Sequence, residues 1–425
     1  MCYIIKHIIS IIFIFIFLAC SPLKINVDNR RNLAFLYNPS SSSLHPEFFI
    51  SHDTDTTSLL MIKIFPYELL FNKANEFLTY MANVQIQYKL IGSGKNKQLI
   101  DSASVSYLID MDKFQEVFTS QIKFKAKQPN KYQLKIVTTD LLKKTSAQTF
   151  LTVDKSSPFT RQNFLLRKKS LGIPIFDLKF SKNDIFTISH YQKEIDSLYI
   201  TFYKNKFPIP QPPYSPLSSP PVSNYEPDSI WKISYNDTLG FQLSNEGVYH
   251  IRIDSSNSEG VTLFNFGESF PRVTTPEQLI NPVAYLTSLT DFNTLKNQQN
   301  KKNVVDNFWL KKTDNIEIAR EIIRIYYNRV FLANVYFTSY KEGWKTDRGM
   351  IYIIYGPPNI IYKSDIDEKW IYWEKRNARS VSFTFIKKED DPFSDNSFLL
   401  QRDEQTNTHW SQAVDSWRKG KVFNF

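Results

Sequence analysis

Short segments in which apolar and polar residues alternate recur through the first two thirds of the chain, and they constrain its fold most. The clearest is residues 84–90, where Val84, Ile86, Tyr88 and Leu90 would share one face. A period of two is typical of a strand with one buried face. Similar segments are residues 60–65, 122–126, 131–137, 149–153, 196–203, 247–253 and 261–266. Short strands at this spacing, with turns between them, predict β-sandwiches.

These strands fall into two blocks, which predict two tandem Ig-like β-sandwich domains over residues 58–155 and 156–270. The second domain contains a proline-rich insert, residues 207–227. Proline cannot donate to a β-ladder, so the insert cannot be a central strand. The favoured interpretation is a stiff loop between strands, and the alternative is an extended segment that docks in an aromatic groove of a partner.

The composition fits aromatic-rich β-structure. Aromatic residues make up 15% of the chain, with 34 Phe and 23 Tyr, whereas Gly numbers only 11. This composition excludes a disordered chain. The formal charge of +10 could face anionic lipid, glycan phosphate or nucleic acid. Because the lysines are scattered, most are expected simply to solvate the surface. The periplasmic location argued below makes nucleic acid an unexpected partner.

Residues 1–20 have the pattern of an export signal. Lys6 precedes an apolar stretch, residues 8–19, that is too short to span a bilayer, which needs roughly 20 residues. The stretch ends in Phe17-Leu18-Ala19-Cys20, which resembles a bacterial lipobox and implies acylation of Cys20 after cleavage. Phe17 stands where leucine is usual, so an ordinary secretory signal with an incidental cysteine is the alternative.

The two cysteines, Cys2 and Cys20, are both accounted for by this signal. A mature chain without free thiols has no disulfide, thiolate metal site or cysteine nucleophile. Residues 21–57 are polar and serine-rich, and we interpret them as a tether to the membrane. In lipoprotein sorting, Ser21 after the cysteine implies the outer membrane. The lack of an acidic run there favours the periplasmic face.

The pattern changes near residue 274, where helical features begin. Thr275 and Pro276 predict a helix start. A longer helix is predicted from Asp314 to Phe337, with Asp314 and Glu317 in a capping-box pattern. One apolar stripe is expected to face the core: Ile316, Ala319, Ile323, Tyr326, Val330 and Ala333.

The most specific motif follows this helix and has the sequence Gly343-Trp344-Lys345-Thr346-Asp347-Arg348-Gly349. Residues 350–355 are apolar throughout and predict a strand buried on both faces. Gly356-Pro357-Pro358 then predicts a turn.

These residues resemble the GWxTD-domain proteins of Bacteroidota, whose naming motif matches residues 343–347 position by position. Residues 370–373, residues 381–385 and Trp417-Arg418 also fit the family. The resemblance covers roughly residues 274–425 and implies an α+β GWxTD domain over residues 271–425. It implies no activity, because none is assigned to the family.

The motif has two interpretations. In the favoured one it is architectural: Gly343 and Gly349 supply positive φ, Thr346 and Asp347 bond nearby backbone, and Trp344 closes the core. Arg348 would pair with Asp347 or with an acid from another element, and Gly356 with Pro357 would end the strand. In the alternative, Trp344, Asp347 and Arg348 bind a sugar or a peptide carboxylate.

The sequence offers no catalytic constellation. Its six histidines lack zinc-binding spacing, and there is no nucleophile elbow or phosphate loop. Two acidic groups, Asp365/Asp367/Glu368 and Glu389/Asp390/Asp391, are read as solvated turns, with a Ca²⁺ site or carboxylate pair as the alternative. We therefore expect no catalytic residue, no metal and no cofactor.

Together these observations predict a non-catalytic envelope lipoprotein that acts as a scaffold or binding protein in the periplasm. Its expected partners are the membrane, through the N-terminal lipid, and another envelope protein. The alternative is an enzyme or glycan-binding protein acting on an envelope polymer, with Asp347 as a candidate residue. A third possibility, from compartment alone, is a component of a secretion or motility machine.

Overall fold

A computed structural model provides the structure of the chain. It describes residues 32–38, 44–73, 79–92, 98–113, 116–192, 195–204, 207–216, 226–311, 315–364, 366–373, 380–388, 391 and 393–423. The predicted signal, Cys20 and the start of the tether lie outside the described residues. So do Asp314, Asp365, Glu389 and Asp390, and residues 217–225 of the proline-rich insert.

The first sandwich has eight strands. They are β1 (Glu47–Thr54), β2 (Thr57–Ile64), β3 (Asn72–Lys73), β4 (Tyr80–Gly92), β5 (Leu99–Asp110), β6 (Phe118–Lys125), β7 (Lys131–Asp140) and β8 (Thr145–Asp154). One antiparallel sheet has the order β1-β2-β6, and the other has β3-β4-β7-β8 with β5 also paired to β4. The alternation predicted in β4 is confirmed, because Val84, Ile86, Tyr88 and Leu90 are all buried in the shared core.

The tether expected over residues 21–57 is too long, because its last residues belong to the first sandwich. Strand β1 begins at Glu47 and pairs with β2 from Glu47↔Lys63 to Thr54↔Thr57. Sequence reasoning missed β1 because its buried positions include the polar Ser51 and His52. Polar side chains in the interior hide the alternation on which strand prediction depends.

The second sandwich has seven strands. They are β9 (Phe164–Lys168), β10 (Ile185–His190), β11 (Ser197–Lys204), β12 (Ser229–Ser234), β13 (Phe241–Gln242), β14 (Gly247–Arg252) and β15 (Val261–Asn265). The sheets have the orders β13-β10-β9 and β12-β11-β14-β15. A mainly aromatic and aliphatic core lies between them. Two tandem sandwiches are therefore present, as predicted.

The described residues of the C-terminal domain form six α-helices and one sheet. The helices are α1 (Pro276–Ile280), α2 (Leu289–Asn297), α3 (Lys301–Leu310), α4 (Ile316–Phe337), α5 (Asp347–Tyr355) and α6 (Asn407–Arg418). The strands are β16 (Ile360–Lys363), β17 (Asp367–Trp373), β18 (Ser380–Lys387) and β19 (Phe398–Leu400). They form an antiparallel sheet in chain order. Helix α1 begins at Pro276, as predicted, and Thr275 caps it through a capping box with Gln278 that was not predicted.

Helix α4 is the long helix that the sequence predicts. Asn315 caps it by accepting from the backbone N–H groups of Glu317 and Ile318. Most of the predicted stripe is buried, but Ile316 is exposed because it lies in the first turn.

The strand predicted over residues 350–355 is wrong, because these residues belong to helix α5. All nine residues of α5 are buried. An apolar segment that is buried on every side has no amphipathic period, so six residues cannot distinguish a strand from a helix. Gly356 ends the helix with a φ of 84°, a conformation that glycine adopts without steric cost.

The segment Asn32–Asn38 lies on the C-terminal domain, although it is far from it in sequence. The Leu33 N–H donates to the Ile361 carbonyl at 2.9 Å. The Ile361 N–H donates to Asn32 Oδ1 at 3.0 Å. Tyr37 is buried in the core of the domain. Part of the expected tether therefore completes the C-terminal domain.

Polar groups lie at the end of the first sandwich where it meets the second. Gln162 accepts from the Asp154 N–H at 2.9 Å and donates to the Thr152 carbonyl at 2.7 Å, and Gln128 donates to the Tyr191 hydroxyl at 3.0 Å. One aromatic contact also crosses here, between the rings of Phe49 and Phe176 at 4.9 Å.

Further polar groups are buried on the first-sandwich side. Lys155, which is fully buried, donates to the carbonyls of Thr57 at 2.9 Å and Ala126 at 3.0 Å, and also to that of Thr54. Burial lowers the pKa of Lys155 to about 8. His52 Nε2 lies 2.8 Å from the Asp154 carbonyl. We call this region the polar junction.

The junction between the second sandwich and the C-terminal domain is aromatic. Phe207, Val248, Phe264, Phe266 and Tyr340 form one buried cluster that includes residues of both domains. The rings of Phe207 and Tyr340 meet edge-on at 5.0 Å. We call this region the aromatic junction.

Candidate functional site

The N-terminus of α5 is the centre of the Gly343–Gly349 motif. A 3-10 turn over Gly343–Lys345 leads into Thr346, which caps the helix. The Thr346 hydroxyl accepts from the Gly349 N–H at 3.0 Å and donates to the Gly343 carbonyl at 2.7 Å. Thr346 therefore joins the turn to the helix, as an N-cap residue should.

The two glycines of the motif allow close backbone approach. A Cβ on Gly343 would lie 1.9 Å from the Ala333 carbonyl oxygen of α4. A Cβ on Gly349 would lie 1.9 Å from the Gly343 carbonyl oxygen. Neither residue is among those with positive φ, so the expected reason for these glycines is wrong. They are needed because the turn and two helices are in direct contact.

Trp344 is buried against α4 and the α1 region. Its backbone N–H donates to Asn334 Oδ1 at 3.0 Å, and its backbone carbonyl accepts from the Tyr285 hydroxyl at 2.6 Å. The ring meets Tyr285 edge-on at 6.3 Å, and Lys345 Nζ lies 5.5 Å from its centre. The tryptophan thus closes this end of the core, as the architectural interpretation predicts.

Asp347 pairs with an arginine from a distant part of the domain. Its Oδ1 lies 2.8 Å from an Arg402 guanidinium nitrogen, and its Oδ2 accepts from the Leu400 N–H at 2.9 Å. The exposed fractions of the two charged side chains are 2% and 7%. Both carboxylate oxygens therefore have protein partners.

The Asp347–Arg402 pair also holds the proline-rich insert. Arg402 donates to the Gln211 carbonyl at 3.0 Å, and the Asp403 N–H donates to the Pro213 carbonyl at 3.1 Å. Tyr214 packs on the core of the domain. The described part of the insert, residues 207–216, thus docks within the same chain.

Arg348 pairs with an acid from another element, one of the two options that its sequence suggests. Its guanidinium lies 3.2 Å from Glu368 Oε1 and donates to the Asn396 carbonyl at 2.9 Å. It also stacks over the Phe398 ring at 4.0 Å. The Tyr37 hydroxyl donates to Glu368 at 3.0 Å. Arg348 therefore links α5, the sheet and the N-terminal segment.

Glu368 is fully buried, so the interpretation of its acidic group as a solvated turn is wrong for this residue. Burial alone would raise the pKa of its carboxyl, but Arg348 and Lys363 outweigh burial and hold the pKa at about 2. Burial, and secondarily Glu368, raise the pKa of Tyr37 far above its ordinary value. The carboxylate is ionised and the phenol is neutral at any physiological pH.

Of the other candidate residues, Gly356 is buried and Pro357 is exposed beyond the end of α5. Arg329 reaches this end of the helix and donates to the carbonyls of Ile353 and Ile354 at 3.2 and 3.1 Å. A Cβ on Gly356 would lie 2.8 Å from the Arg329 guanidinium. Gly356 thus leaves room for an arginine that caps the helix.

Two cavities mark where a ligand could enter. A cavity of about 50 Å³ lies beside Trp344 and is lined by Phe270, Arg272, Asn334 and Glu342 among others. Since a water molecule occupies about 30 Å³ of the liquid, this space suits one or two waters. A cleft of about 230 Å³ opens between β12 and β13 of the second sandwich, with Trp231, Phe241 and Tyr249 in its lining.

The described residues contain no group of three or more His, Cys, Asp or Glu side chains arranged to hold a metal ion. His52, His190 and His250 are buried, and burial lowers the pKa of each to about 4. Within the same described part of the chain, no helix has both the length and the apolar character to cross a membrane.

Sequence reasoning missed most partners of the motif. Arg402, Tyr37 and Asn396 lie 55, 311 and 48 residues from the motif residues that they contact. Nothing in local spacing indicates such contacts. The sequence suggested only that Arg348 would pair with Asp347 or with an acid from another element, and it gave no partner for Asp347 beyond nearby backbone.

The family model of the GWxTD domain matches residues 247–419. The chain contains a GWxTD domain. The match begins at β14, earlier than the resemblance at residue 274, and so includes strands β14 and β15. Both strands contribute to the aromatic junction through Val248 and Phe264. No curated protein matches the chain.

Solved structures with a partial likeness include the β-glucuronidase of Bacteroides uniformis and the transglutaminase of red sea bream. The first is 11% identical, covers 42% of this chain and 17% of that protein, and has a TM-score of 0.19. The second is 12% identical, covers 49% and 28%, and has a TM-score of 0.18. The chain thus spans under a third of either protein, and likenesses this weak carry no argument about function.

Proposed function

We propose that this protein is a non-catalytic lipoprotein of the bacterial envelope, anchored through Cys20 at the periplasmic face of the outer membrane. There it acts as a scaffold that binds another envelope protein. The proposal that the protein is non-catalytic rests on the burial and the protein partners of the polar residues in the GWxTD motif. Thr346, Asp347 and Arg348 are all less than 7% exposed, and each has protein partners.

A catalytic acid or base must reach the substrate, directly or through one water. Asp347 is engaged by Arg402 and by the Leu400 N–H, and it lies at the base of α5 with 3% exposure. Arg348 is engaged by Glu368 and Asn396. The motif is therefore best explained as the device that joins α4, α5, the sheet, the N-terminal segment and the proline-rich insert.

Replacement of Asp347 tests this explanation. Asp347→Asn leaves the buried Arg402 charge without its counter-charge, so we expect a loss of about 2 to 3 kcal/mol in the free energy of unfolding. Asp415→Asn is a matched control, because Asp415 forms an exposed pair with Arg418 at 3.6 Å. It should change stability by less than about 0.5 kcal/mol. An Asp347→Asn protein of unchanged stability that loses its cellular function would favour chemistry at the motif.

Affinity purification of the lipidated protein from its own membrane, after cross-linking, tests the scaffold role. We expect one envelope protein in stoichiometric amount with the wild type and with Asp415→Asn. A solitary protein in repeated cross-linking experiments would argue against a scaffold.

The cleft of the second sandwich favours glycan binding as a second candidate function. Trp231 is 40% exposed there, and its ring stacks near Tyr249 at 6.4 Å. Aromatic faces beside amide side chains, here Gln242 and Asn245, suit sugar rings. Titration with envelope polysaccharide fragments would show binding that Trp231→Ala abolishes and Trp373→Ala keeps. Equal glycan binding by both variants would exclude this cleft as the glycan-binding site.

A further inference from the structure

Strand β5 lies at one edge of the five-stranded sheet in the first sandwich, and among the described elements only β4 pairs with it. The antiparallel pairing with β4 is regular over residues 101–110. On its inner side, Val105 and Tyr107 pack on the core, and the Tyr107 ring contacts Phe118 of β6 at 5.3 Å. The strand is therefore held in place on one side and on its inner face, while its other edge is open.

The phase of the β4–β5 pairing determines which backbone groups lie at this open edge. The Met111 N–H donates to the Tyr80 carbonyl at 3.0 Å. Hydrogen-bonded residues alternate along an antiparallel pair, so the odd-numbered residues of β5 bond to β4. The even-numbered residues from Ser102 to Leu108 direct their N–H and C=O groups away from β4. These groups can form a ladder with one further strand.

Features that protect other edge strands of the molecule are missing from β5. At β8, the opposite edge of the same sheet, Gln162 accepts from the Asp154 N–H at 2.9 Å and donates to the Thr152 carbonyl at 2.7 Å. Strand β12 carries Lys232. Proteins use such covering groups and charges to prevent edge-to-edge pairing. Residues 102–109 of β5 have the sequence Ser-Ala-Ser-Val-Ser-Tyr-Leu-Ile, without a charge or a proline, so this edge is suited to pairing.

The order of residues along β5 indicates which strand would pair with it. Ser104 lies at the centre, with Ser102 and Ser106 on either side, and all three are exposed. Beyond them, Ile100 is 40% exposed and Leu108 is 67% exposed. The series is therefore nearly the same in both directions. Such self-complementarity is what a two-fold interface requires, because the same surface faces itself.

An antiparallel pairing of two β5 strands about Ser104 matches like with like. Ser104 lies opposite Ser104 of the second copy, and Ser102 lies opposite Ser106. The two exposed apolar ends of the strand come together, since Leu108 takes the position opposite Ile100. Small hydroxyl side chains that face one another can exchange hydrogen bonds across the pair.

This register also avoids repulsion between charges. It places Asp101 opposite Tyr107 of the second copy, so no two carboxylates are paired. The Asp101 carboxylate already accepts from the backbone N–H of Lys125 at 2.7 Å and from the Tyr88 hydroxyl at 3.2 Å. Its charge is thus engaged within its own sandwich, and it does not oppose the approach of a second strand.

We propose that β5 is a homodimerisation edge, at which two copies of this chain pair their β5 strands antiparallel about a two-fold axis at Ser104. The two sandwiches then share one continuous sheet, whose strands run β8-β7-β4-β5 in one copy and β5-β4-β7-β8 in the other. The inference goes beyond the scaffold role and depends neither on that role nor on the lipid anchor.

Disulfide trapping in cells that produce the full-length chain tests the contact and its register. Cα atoms of a hydrogen-bonded antiparallel pair lie about 5.5 Å apart, a separation that a disulfide spans. Ser104→Cys should therefore give a covalent dimer on mild oxidation, detected by immunoblotting after non-reducing electrophoresis. Ser102→Cys and Ser106→Cys should each give several-fold less, because each cysteine lies four residues, or about 14 Å, along the strand from its copy. These two variants produced together should again give the dimer.

Two controls accompany this experiment. The parent protein, with Cys2 and Cys20, gives the background from the native cysteines. Ser146→Cys is the matched variant, because Ser146 is an exposed serine of β8 at the opposite edge of the sheet. It should give no more dimer than the parent does.

A charge at the centre of β5 tests the same edge without cysteine chemistry. Ser104→Lys places two ammonium groups opposite each other on the axis, at an exposed position that makes no core contact. In sedimentation of the detergent-solubilised protein, we expect the mass of two chains for the wild type and for Ser146→Lys. Ser104→Lys should have half that mass, with an unchanged circular dichroism spectrum.

Several results would overturn the inference. One is a wild-type protein that sediments as a single chain, and another is a Ser104→Cys protein that gives no more dimer than Ser146→Cys. If Ser102→Cys alone gave as much dimer as Ser104→Cys, the contact would be collisional and the register wrong. A disulfide adduct of Ser104→Cys with a protein of different mass, without the dimer, would assign the edge to a foreign strand instead of a second copy.

Discussion

The two junctions on either side of the second sandwich differ in the contacts that form them. At the polar junction, hydrogen bonds from Gln162 to Asp154 and Thr152, and from Gln128 to Tyr191, cross between the two sandwiches. Beside them, Lys155 and His52 join the end of β8 to the β1–β2 turn within the first sandwich. At the aromatic junction, Phe207, Phe264, Phe266 and Tyr340 bury their rings in one cluster. Hydrogen bonds depend on geometry and protonation, whereas apolar burial depends mainly on area. The second sandwich and the GWxTD domain should therefore unfold together, and the first sandwich separately.

The largest expected effect comes from emptying the aromatic junction. Phe266 is buried, with its ring stacked 5.5 Å from Phe264, so Phe266→Ala should cost about 3 to 5 kcal/mol. Scanning calorimetry should show one transition, comprising the second sandwich and the GWxTD domain, move to lower temperature. Phe150→Ala, at a half-exposed ring of the first sandwich, is the control. Separate transitions for these two domains would contradict their coupling.

A smaller effect is expected at the polar junction. Lys155→Met keeps the aliphatic stem but leaves buried carbonyl groups, including those of Thr57 and Ala126, without their donor. We expect a loss of about 2 kcal/mol, confined to the transition of the first sandwich. Lys123→Met removes an exposed pair with Asp53 and should change little. Equal stability of both variants would mean that the buried ammonium of Lys155 stabilises the protein no more than the exposed ammonium of Lys123 does.

Histidine titration should give the smallest effect. Burial holds the pKa of His52 at about 4, below the ordinary value of 6.5, so the unfolded state binds more protons between these values. Stability should therefore fall as the pH drops below about 6.5, by roughly 1 kcal/mol at pH 5.5. His52→Gln should reduce this pH dependence for the first sandwich. His250→Gln should do so for the second, because His250 lies in β14 and burial lowers its pKa to about 4 as well. If the stability of His52→Gln depended on pH as the wild type does, other titrating groups would be responsible for that dependence.

The strands were predictable where one face is buried and the other is not. In β4 the buried and open positions alternate along the strand, and the sequence carries that period. The prediction for residues 350–355 was wrong for the opposite reason, because all faces of helix α5 are buried. Strand β1 was missed because buried Ser51 and His52 interrupt the apolar pattern.

The motif was predictable in composition but not in geometry. The sequence identified Gly343, Thr346, Asp347 and Arg348 as a unit and suggested an acidic partner for Arg348. Which residues serve as partners depends on tertiary contacts. Glu368 lies in a neighbouring strand, and Arg402 follows the last strand of the sheet. Local propensity carries no information on such pairings.

The contact between Tyr37 and Glu368 joins groups separated by 331 residues of sequence. Because a chain is synthesised from its N-terminus, residues 32–38 must stay unpaired until most of the remaining polypeptide has been made. High contact order of this kind delays the last step of folding, because the longest loop closes last. The first sandwich can form early, but a chain cut short before β17 would lack the carboxylate that receives Tyr37. Completion of the GWxTD domain thus shows that synthesis of almost the whole polypeptide has finished.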